Sequence, residues 1–213
     1  MAVTGLDDTA GSPIGTEAAS DGPVDGRNVR RERNVASALD VVLEMFAEDA
    51  LFPTMDSVAE RSGLSLRSLY RYFADPSELV HAAIERQQML TNDLAHIPSI
   101  GEGPLAGRID DFVAMRLRVH EQVGAMFRAT LANANRHSIV AETLANRRRN
   151  MSEQFEQQFA PELKGSKTGR DALLHAGDAL TQLDTIHLMA SQGVTTKEIR
   201  AALERGLRSL FGA

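Results

Sequence analysis

The chain has 213 residues, enough for one large domain or two small ones, and 43% of them are hydrophobic, an ordinary share for a globular protein. It contains no cysteine, which excludes disulfides, zinc–thiolate sites and cysteine nucleophiles. The net charge is −6, but residues 1–26 hold five acidic and no basic residues, so the rest of the chain is nearly neutral.

The N-terminal segment, residues 1–26, is rich in small and polar residues and has almost no large apolar ones, which predicts a disordered acidic tail. A first helix is predicted from about residue 29 to residue 48, because apolar residues recur there at helical spacing. Four arginines form a basic arm at its start: Arg27, Arg30, Arg31 and Arg33. Such arms often bind nucleic acid, so Arg30 and Arg31 are candidate DNA contacts; a solvated arm is the alternative.

The most informative stretch is TMDSVAERSGLSLRSLYRYFADPSEL, residues 54–79. Thr54 is a good N-cap for a short helix whose apolar residues follow at helical spacing. Gly63 can adopt a positive φ and end that helix, and Ser65 can cap a second helix that ends near Phe73. Two short helices joined by a glycine-containing turn predict a helix-turn-helix.

The second of these helices has two unlike faces. Leu69 and Phe73 are four residues apart and point inward, whereas Arg67 and Arg71 point roughly the opposite way. Arginine binds guanine edges or phosphates, and the hydroxyls of the neighbouring serine and tyrosine side chains can bond phosphate oxygens. The outer face therefore suits DNA, although for the arginine pair alone an ordinary solvated helix face is an equal alternative.

The motif resembles the DNA-binding domain of TetR-type (tetracycline-repressor-like) bacterial regulators. The residues that carry the resemblance lie in register over residues 54–79, and a looser similarity extends from about Arg27 over the rest of the chain. They are Val58, Ala59, Gly63, Leu64, Ser65, Leu69, Tyr70, Arg71, Tyr72, Phe73, Glu78 and Leu79.

The resemblance implies an all-helical homodimer of about nine helices per subunit. Residues 27–75 would form the helix-turn-helix domain, and residues 76–213 would form a helical domain for ligand binding and dimerisation. Thr54 would touch phosphate, and the recognition helix would present most of the remaining contacts. The candidate DNA-binding residues are Arg30, Arg31, Thr54, Ser65, Leu66, Arg67, Ser68, Tyr70, Arg71 and Tyr72.

Two features depart from the family pattern. Many relatives carry a lysine at the start of the helix after the motif, where it contacts phosphate, but this chain has Pro76. Asp75, Pro76 and Glu78 make a good helix start without the lysine charge. The loop before Thr54 also lacks the glycine that relatives usually carry.

Six further helices are predicted after the motif, at about residues 76–96, 105–120, 121–135, 138–159, 170–191 and 195–211. The last one begins at a capping box formed by Thr195 and Glu198, after Gly193 ends the preceding helix. The first of the six leaves the DNA reader and enters the second domain, so it is the natural lever between ligand and DNA.

Methionine and phenylalanine residues on residues 105–159 could form an adaptable apolar pocket, although each one alone is better explained as ordinary core. The candidate pocket residues are Phe112, Met115, Met126, Phe127, Met151, Phe155 and Phe159. In TetR-type proteins the pocket lies among these helices, so a small apolar or amphipathic effector is expected. No cofactor and no metal site is expected, because no close cluster of ligating residues occurs.

The last two predicted helices carry apolar stripes and small residues that suit the four-helix dimer interface of TetR-type proteins; the alternative is that both serve the core of one subunit. The candidate interface residues are Ala176, Leu180, Leu183, His187, Ile199, Leu203 and Leu207.

The leading hypothesis is a DNA-binding transcriptional regulator, a repressor released from a palindromic operator by its effector. The alternative is a dimeric helical small-molecule-binding or interaction protein with a degenerate DNA reader, which Pro76 and the acidic balance motivate. No arrangement of catalytic residues favours an enzyme. Without a signal peptide or an apolar run long enough to span a membrane, the cytoplasm is the expected location.

Overall fold

The structure is a computed structural model that describes residues 26–49, 52–165 and 167–212. These residues form α-helices and one 3-10 turn and contain no strand. The helices are α1 (Gly26–Asp49), α2 (Met55–Ser62), α3 (Leu66–Tyr72), α4 (Pro76–Thr91), α5 (Leu105–Asn133), α6 (Ser138–Gln158), α7 (Lys167–Thr181), α8 (Leu183–Ser191) and α9 (Thr196–Phe211), with the 3-10 turn at Asn92–Ala95.

The all-helical class and the expected number of helices are therefore confirmed for the described residues. The predicted tail at residues 1–26 lies outside them, apart from Gly26, which begins α1. The arginines at 27–33 belong to the first turns of α1, so the basic arm is helical.

Helices α1 to α4 share one hydrophobic cluster. Its largest side chains include Phe46 of α1, Met55 of α2 and Leu69 of α3, all of them buried. Ala129 of α5 and Val140 of α6 belong to the same cluster, so the ends of α5 and α6 pack directly on this N-terminal bundle. Burial of these side chains stabilises the bundle by roughly 1.5–3 kcal/mol each, an upper estimate.

A second cluster fills the space among α5 to α9. Three phenylalanines form its centre: the rings of Phe112 and Phe159 lie 5.2 Å apart, and those of Phe155 and Phe159 lie 4.8 Å apart. Both pairs have the tilted or edge-on geometry that aromatic rings prefer. Close helix contact depends on glycine here, because a Cβ at Gly177 would lie 2.1 Å from the ring of Phe155.

Two predicted helix boundaries are wrong. Residues 105–133 form one continuous helix, because Gly124 is tolerated inside a buried helix that tertiary packing holds together. Residues 170–191 form two helices instead of one, with extended backbone at Gln182 (φ −64°, ψ 150°) between α7 and α8. Among the described residues, none of the helices is both long and apolar enough to cross a membrane.

A buried network of hydrogen bonds fixes the loop between α4 and α5. Arg108 of α5 is 4% exposed and pairs with Glu162, and one of its guanidinium nitrogens also donates to the Gln158 carbonyl over 2.8 Å. The Gln158 side chain accepts from the Gly101 backbone N–H at 2.9 Å. Each buried polar group in this network has a partner, which holds the loop in place beside the cavity described below.

Candidate functional site

The turn between α2 and α3 is built by local capping. The Thr54 hydroxyl accepts from the Ser57 backbone N–H at 3.2 Å. The Ser57 hydroxyl accepts in return from the Thr54 backbone N–H at 3.0 Å, which completes a capping box. Gly63 ends α2 with φ 70°, a conformation that costs glycine little. Ser65 caps α3 by accepting from the Ser68 N–H at 3.2 Å. These local bonds fix the angle at which α3 leaves the bundle.

Helix α3 has the two faces expected from its sequence. Leu69 and Phe73 are buried at 0% and 5% exposure. The opposite face carries exposed Arg67, Tyr70 and Arg71, with Tyr70 56% exposed although it is aromatic. Thr54, Ser65 and Leu66 are exposed, and Ser68 is half-buried. An exposed tyrosine between two arginines gives α3 a surface suited to phosphate and base edges.

Tyr72 ties α3 to α1. Its hydroxyl accepts from Arg71 at 2.9 Å and from the Asn34 side chain at 3.4 Å, and the two hydrogen bonds lower its pKa, that from Asn34 most. The guanidinium of Arg31 lies 5.9 Å from the centre of the same ring, close enough for a cation–π contact. Tyr72 therefore brings candidate contacts on two helices, Arg31 and Arg71, to one edge of the bundle.

This edge carries uncompensated positive charge. None of the ion pairs in the described parts of the chain includes Arg30, Arg31, Arg67 or Arg71. Arg61 and Arg86 pair instead with Glu48 and Asp40 of α1, which holds the bundle together. Arginines without an ion-pair partner among the described residues thus lie on α1 and α3 in spite of the acidic total, and phosphates respond to local charge more than to the total.

The start of α4 carries carboxylates, in contrast to the arginines on the exposed face of α3. The Asp75 carboxylate accepts from the Ser77 and Glu78 N–H groups at 2.7 and 3.0 Å, with Pro76 at the first helical position. The Glu78 carboxylate accepts in turn from the Ala74 N–H. Two carboxylates therefore occupy the N–H groups of this helix end, which has no free donor of the kind that could bind phosphate.

A cavity of about 600 Å³ lies between the end of α4 and the middle of α5 and α6. Its rim is polar, and its floor is partly apolar, with Val119, Val123, Met151 and Leu183. The rim includes exposed Asp93, His96 and Glu153. Its volume falls within the range of ordinary small-molecule sites.

Two arginines line this cavity, and sequence reasoning missed both. Arg116 of α5 is 2% exposed, and its guanidinium lies 4.5 Å from the centre of the Phe112 ring. It donates to the Gln154 side chain at 3.0 Å and to the Met151 carbonyl at 2.8 Å. Burial lowers its pKa to about 9. Arg147 of α6 is half-buried, and burial lowers its pKa too.

The predicted pocket residues lie mainly in the core and not at the cavity. Of the seven, Met151 alone lines the cavity of 600 Å³. The others are at most 7% exposed: Phe112, Met115, Phe127, Phe155 and Phe159 belong to the cluster among α5 to α9, and Met126 is also buried. Methionine and phenylalanine at helical spacing here fill space, and polar residues outline the open volume.

The predicted interface residues divide into two groups. Leu183, Ile199, Leu203 and Leu207 are at most 2% exposed within one chain, so they are core residues and cannot present a surface to a second copy. Leu180 and His187 are half-buried, and Ala176 is exposed. The exposed faces of α7 and α9 carry small residues instead: Ala172, Ala176, Ala179, Ala201 and Ala202.

Comparison with solved structures finds a protein of similar fold. The solved structure of the Flavonoid-responsive Regulator FrrA is similar to this chain, with a TM-score of 0.62 and 19% sequence identity over 85% of this chain and 96% of that one. At this identity the similarity shows a shared all-helical fold. No family model matches the sequence, and no curated protein does.

Proposed function

We propose that this protein is a TetR-type transcriptional regulator whose α3 helices bind DNA and whose cavity binds a small effector. The single observation that carries the proposal is the exposed face of α3, where Arg67, Tyr70 and Arg71 lie on a capped helix-turn-helix without any ion-pair partner among the described residues. The similarity in fold to a flavonoid-responsive regulator over 85% of this chain supports it.

The proposed division of labour places its boundary at the start of α4, a helix that itself packs in the N-terminal cluster. Residues 27–75 form the DNA-binding part, and residues 76–213 form the part that binds effector and dimerises. Two subunits related by a twofold axis present two α3 helices to successive major grooves, about 34–36 Å apart, and therefore read a palindrome. An effector acts as an inducer of a repressor by favouring a subunit arrangement with a different spacing.

The contacts around the cavity supply a route for such coupling. Gln154 of α6 donates to the Ala95 carbonyl of the 3-10 turn at 2.6 Å and accepts from Arg116. The turn continues directly from α4, which packs against α1 in the N-terminal bundle. At the far end of α6, His137 stacks on Phe52 with the ring centres 3.6 Å apart. An effector that moves α6 therefore moves elements in contact with the DNA-binding part.

A second candidate function is a helical small-molecule-binding protein whose reader no longer binds DNA strongly. The start of α4 favours it, because Pro76 stands where relatives of the TetR type place a phosphate-binding lysine, and the carboxylates of Asp75 and Glu78 lie beside it. Negative charge near phosphate lowers affinity.

The deciding experiment selects duplexes from a random pool and titrates purified protein against the enriched and unselected DNA by fluorescence anisotropy over a salt series. A regulator enriches a palindrome, binds it at least about 1,000-fold more tightly than unselected DNA, and weakens steeply with salt. If no sequence is enriched and the weak binding vanishes at moderate salt, the protein is the degenerate reader of the second hypothesis.

A further inference from the structure

The positive charge of the cavity is buried without a matching carboxylate. Along α5 and α6 the other inward or bridging arginines have acidic partners: Arg108 pairs with Glu162, and Arg148 pairs with Asp184. Within the described residues, Arg116 and Arg147 have no such pair. Burying an uncompensated cation is costly, so a protein seldom does so without a use for it.

Both arginines also keep an unused hydrogen-bond donor. The Nε of Arg116 and one terminal nitrogen of Arg147 are buried and lack a hydrogen-bond partner among the described residues. Guanidinium groups remain protonated at neutral pH even when burial lowers their pKa, so these are charged donors. Buried polar atoms are normally satisfied, which makes an unmatched charged donor in a cavity wall a sign of an absent acceptor.

One carboxylate, that of Asp178 of α7, acts on Arg116 through its charge without forming an ion pair with it. Its oxygens accept from Ser152 and from Gln182, the latter at 2.7 Å. Asp93 and Glu153 belong to the exposed rim, where water and salt screen their charge. Asp178 thus offsets part of the charge of Arg116, but two guanidinium groups line the cavity wall, so positive charge remains in excess there.

We propose that the effector of this cavity is an organic anion, an aromatic or aliphatic carboxylate whose charged group binds Arg116 and Arg147 and whose apolar body lies on Val119, Val123 and Leu183. Arginine binds carboxylates through parallel N–H groups, and these two cavity-lining side chains each have an unused N–H donor that could form such a bond. The inference rests on the proposed function for its biological meaning. It narrows the expected class of amphipathic effectors to those that carry a negative charge.

Anion binding at Arg116 also explains how the cavity signals. Arg116 holds the Gln154 side chain, and the same Gln154 holds the carbonyl of Ala95 next to α4. A carboxylate bound at the unused Nε of Arg116 draws the guanidinium toward itself and so strains the hydrogen bond from the same group to Gln154. The link between α6 and the turn after α4 then weakens, which favours a different position of α4.

A matched pair of probes tests the charge requirement: 2-naphthoate and 2-naphthamide share their shape and differ in charge. Isothermal titration of the full chain, without DNA, should show the carboxylate binding at least about tenfold more tightly than the amide, a difference of about 1.4 kcal/mol. Arg116→Met and Arg147→Met should each remove most of this preference. Arg149→Met, an exposed arginine two residues farther along α6, should leave it unchanged.

Arg147→Met is the decisive variant if Arg116→Met fails to fold, because Arg147 is only half-buried. Equal affinity for the two probes, no binding of either at millimolar concentration, or a preference that survives both substitutions would overturn the proposal. The outcome is independent of DNA. A charge preference without operator binding would overturn only the proposal of a transcriptional regulator. Operator binding without a charge preference would overturn only the proposal of an anionic effector.

Discussion

Arg67 is the side chain at which DNA binding is tested with least disturbance of the fold. It is exposed on α3, whereas Arg71 also supports Tyr72. We expect Arg67→Ala to weaken binding to the selected duplex by about 1–3 kcal/mol, roughly 5- to 150-fold, because one arginine contact to a base or phosphate is lost. Fluorescence anisotropy measures the change.

Two controls separate a contact from a general loss of charge. Arg149→Ala removes an exposed arginine on α6, distant in sequence from the reader, and should leave the affinity unaltered. The melting temperature of Arg67→Ala should match that of the parent. An unchanged affinity in Arg67→Ala would mean that α3 is not the reading helix.

His120 should make stability depend on pH. Its Nε2 is buried without a hydrogen-bond partner among the described residues, and burial, with His187 and Arg128 nearby, lowers its pKa. The unfolded state therefore binds more protons just below the ordinary histidine pKa, so stability is complete above about pH 6.5 and falls as the pH drops through the folded pKa.

The test is His120→Gln, melted between about pH 7.5 and pH 5. The variant should lose less of its melting temperature over this interval than the parent chain does. His81→Gln, an exposed histidine on α4, serves as the control and should follow the parent. Parallel pH profiles for all three proteins would show that His120 is not a source of acid sensitivity.

Single-residue signals in the sequence succeeded where the physics is local. The caps at Thr54, Ser65 and Asp75 and the positive φ of Gly63 were predictable, because each depends on a few neighbouring residues. Arg116 was not, because an arginine in a helix is normally solvated. Its burial is set by residues from α6, which lie more than thirty positions away in sequence.

At the level of helices, Gly177 sets how closely α6 and α7 approach. An added Cβ would lie 2.1 Å from Phe155, a buried ring that has little room to move. We expect Gly177→Ala to destabilise the protein by about 1–3 kcal/mol through overpacking. At this chain length that corresponds to a melting temperature lower by about 2–4 °C for each kcal/mol.

The chain offers a matched control on α5. A Cβ at Gly107 would meet only Pro104, at an ordinary 3.9 Å. Gly107→Ala should therefore be neutral or stabilising by up to about 1 kcal/mol, because alanine is the better helix former. The melting temperature should fall in Gly177→Ala and stay unchanged or rise in Gly107→Ala, and an equal fall in both would exclude a specific contact with Phe155.

The helix assignments show where periodicity stops being informative. The apolar spacing identified helical segments from residue 105 onward, but it placed a break inside α5 and none at Gln182. Gly124 costs about 1 kcal/mol relative to alanine in a helix, and packing of α5 against its neighbours outweighs that preference. The break at Gln182 has no glycine or proline to mark it, so it depends on tertiary contacts.

For the molecule as a whole, the pattern predicted the class of fold better than the function of each surface. The apolar stripe of α9 was expected at a dimer interface, yet Ile199, Leu203 and Leu207 close the core of one subunit. Helical periodicity reports that a face is buried and does not report by which partner. The same limit applies to the predicted pocket, of which Met151 alone borders the open cavity.

The oligomeric state is the last property that decides the proposal, because a palindrome requires two readers. Ala176 is exposed on α7 among other small residues, so an arginine there leaves the core intact and obstructs close helix contact. We expect Ala176→Arg to convert a dimer, at twice the 23.2 kDa of one chain, into a monomer. Sedimentation velocity measures the mass.

DNA binding should fail together with the dimer. A monomer contacts one half-site, so Ala176→Arg should lose most of its affinity for the selected palindrome while its circular dichroism stays helical. Ala145→Arg places the same charge on an exposed position of α6 and should remain dimeric and active. A dimeric Ala176→Arg variant with full affinity would place the interface elsewhere, and a monomeric parent chain that binds the palindrome tightly would remove the dimer from the mechanism.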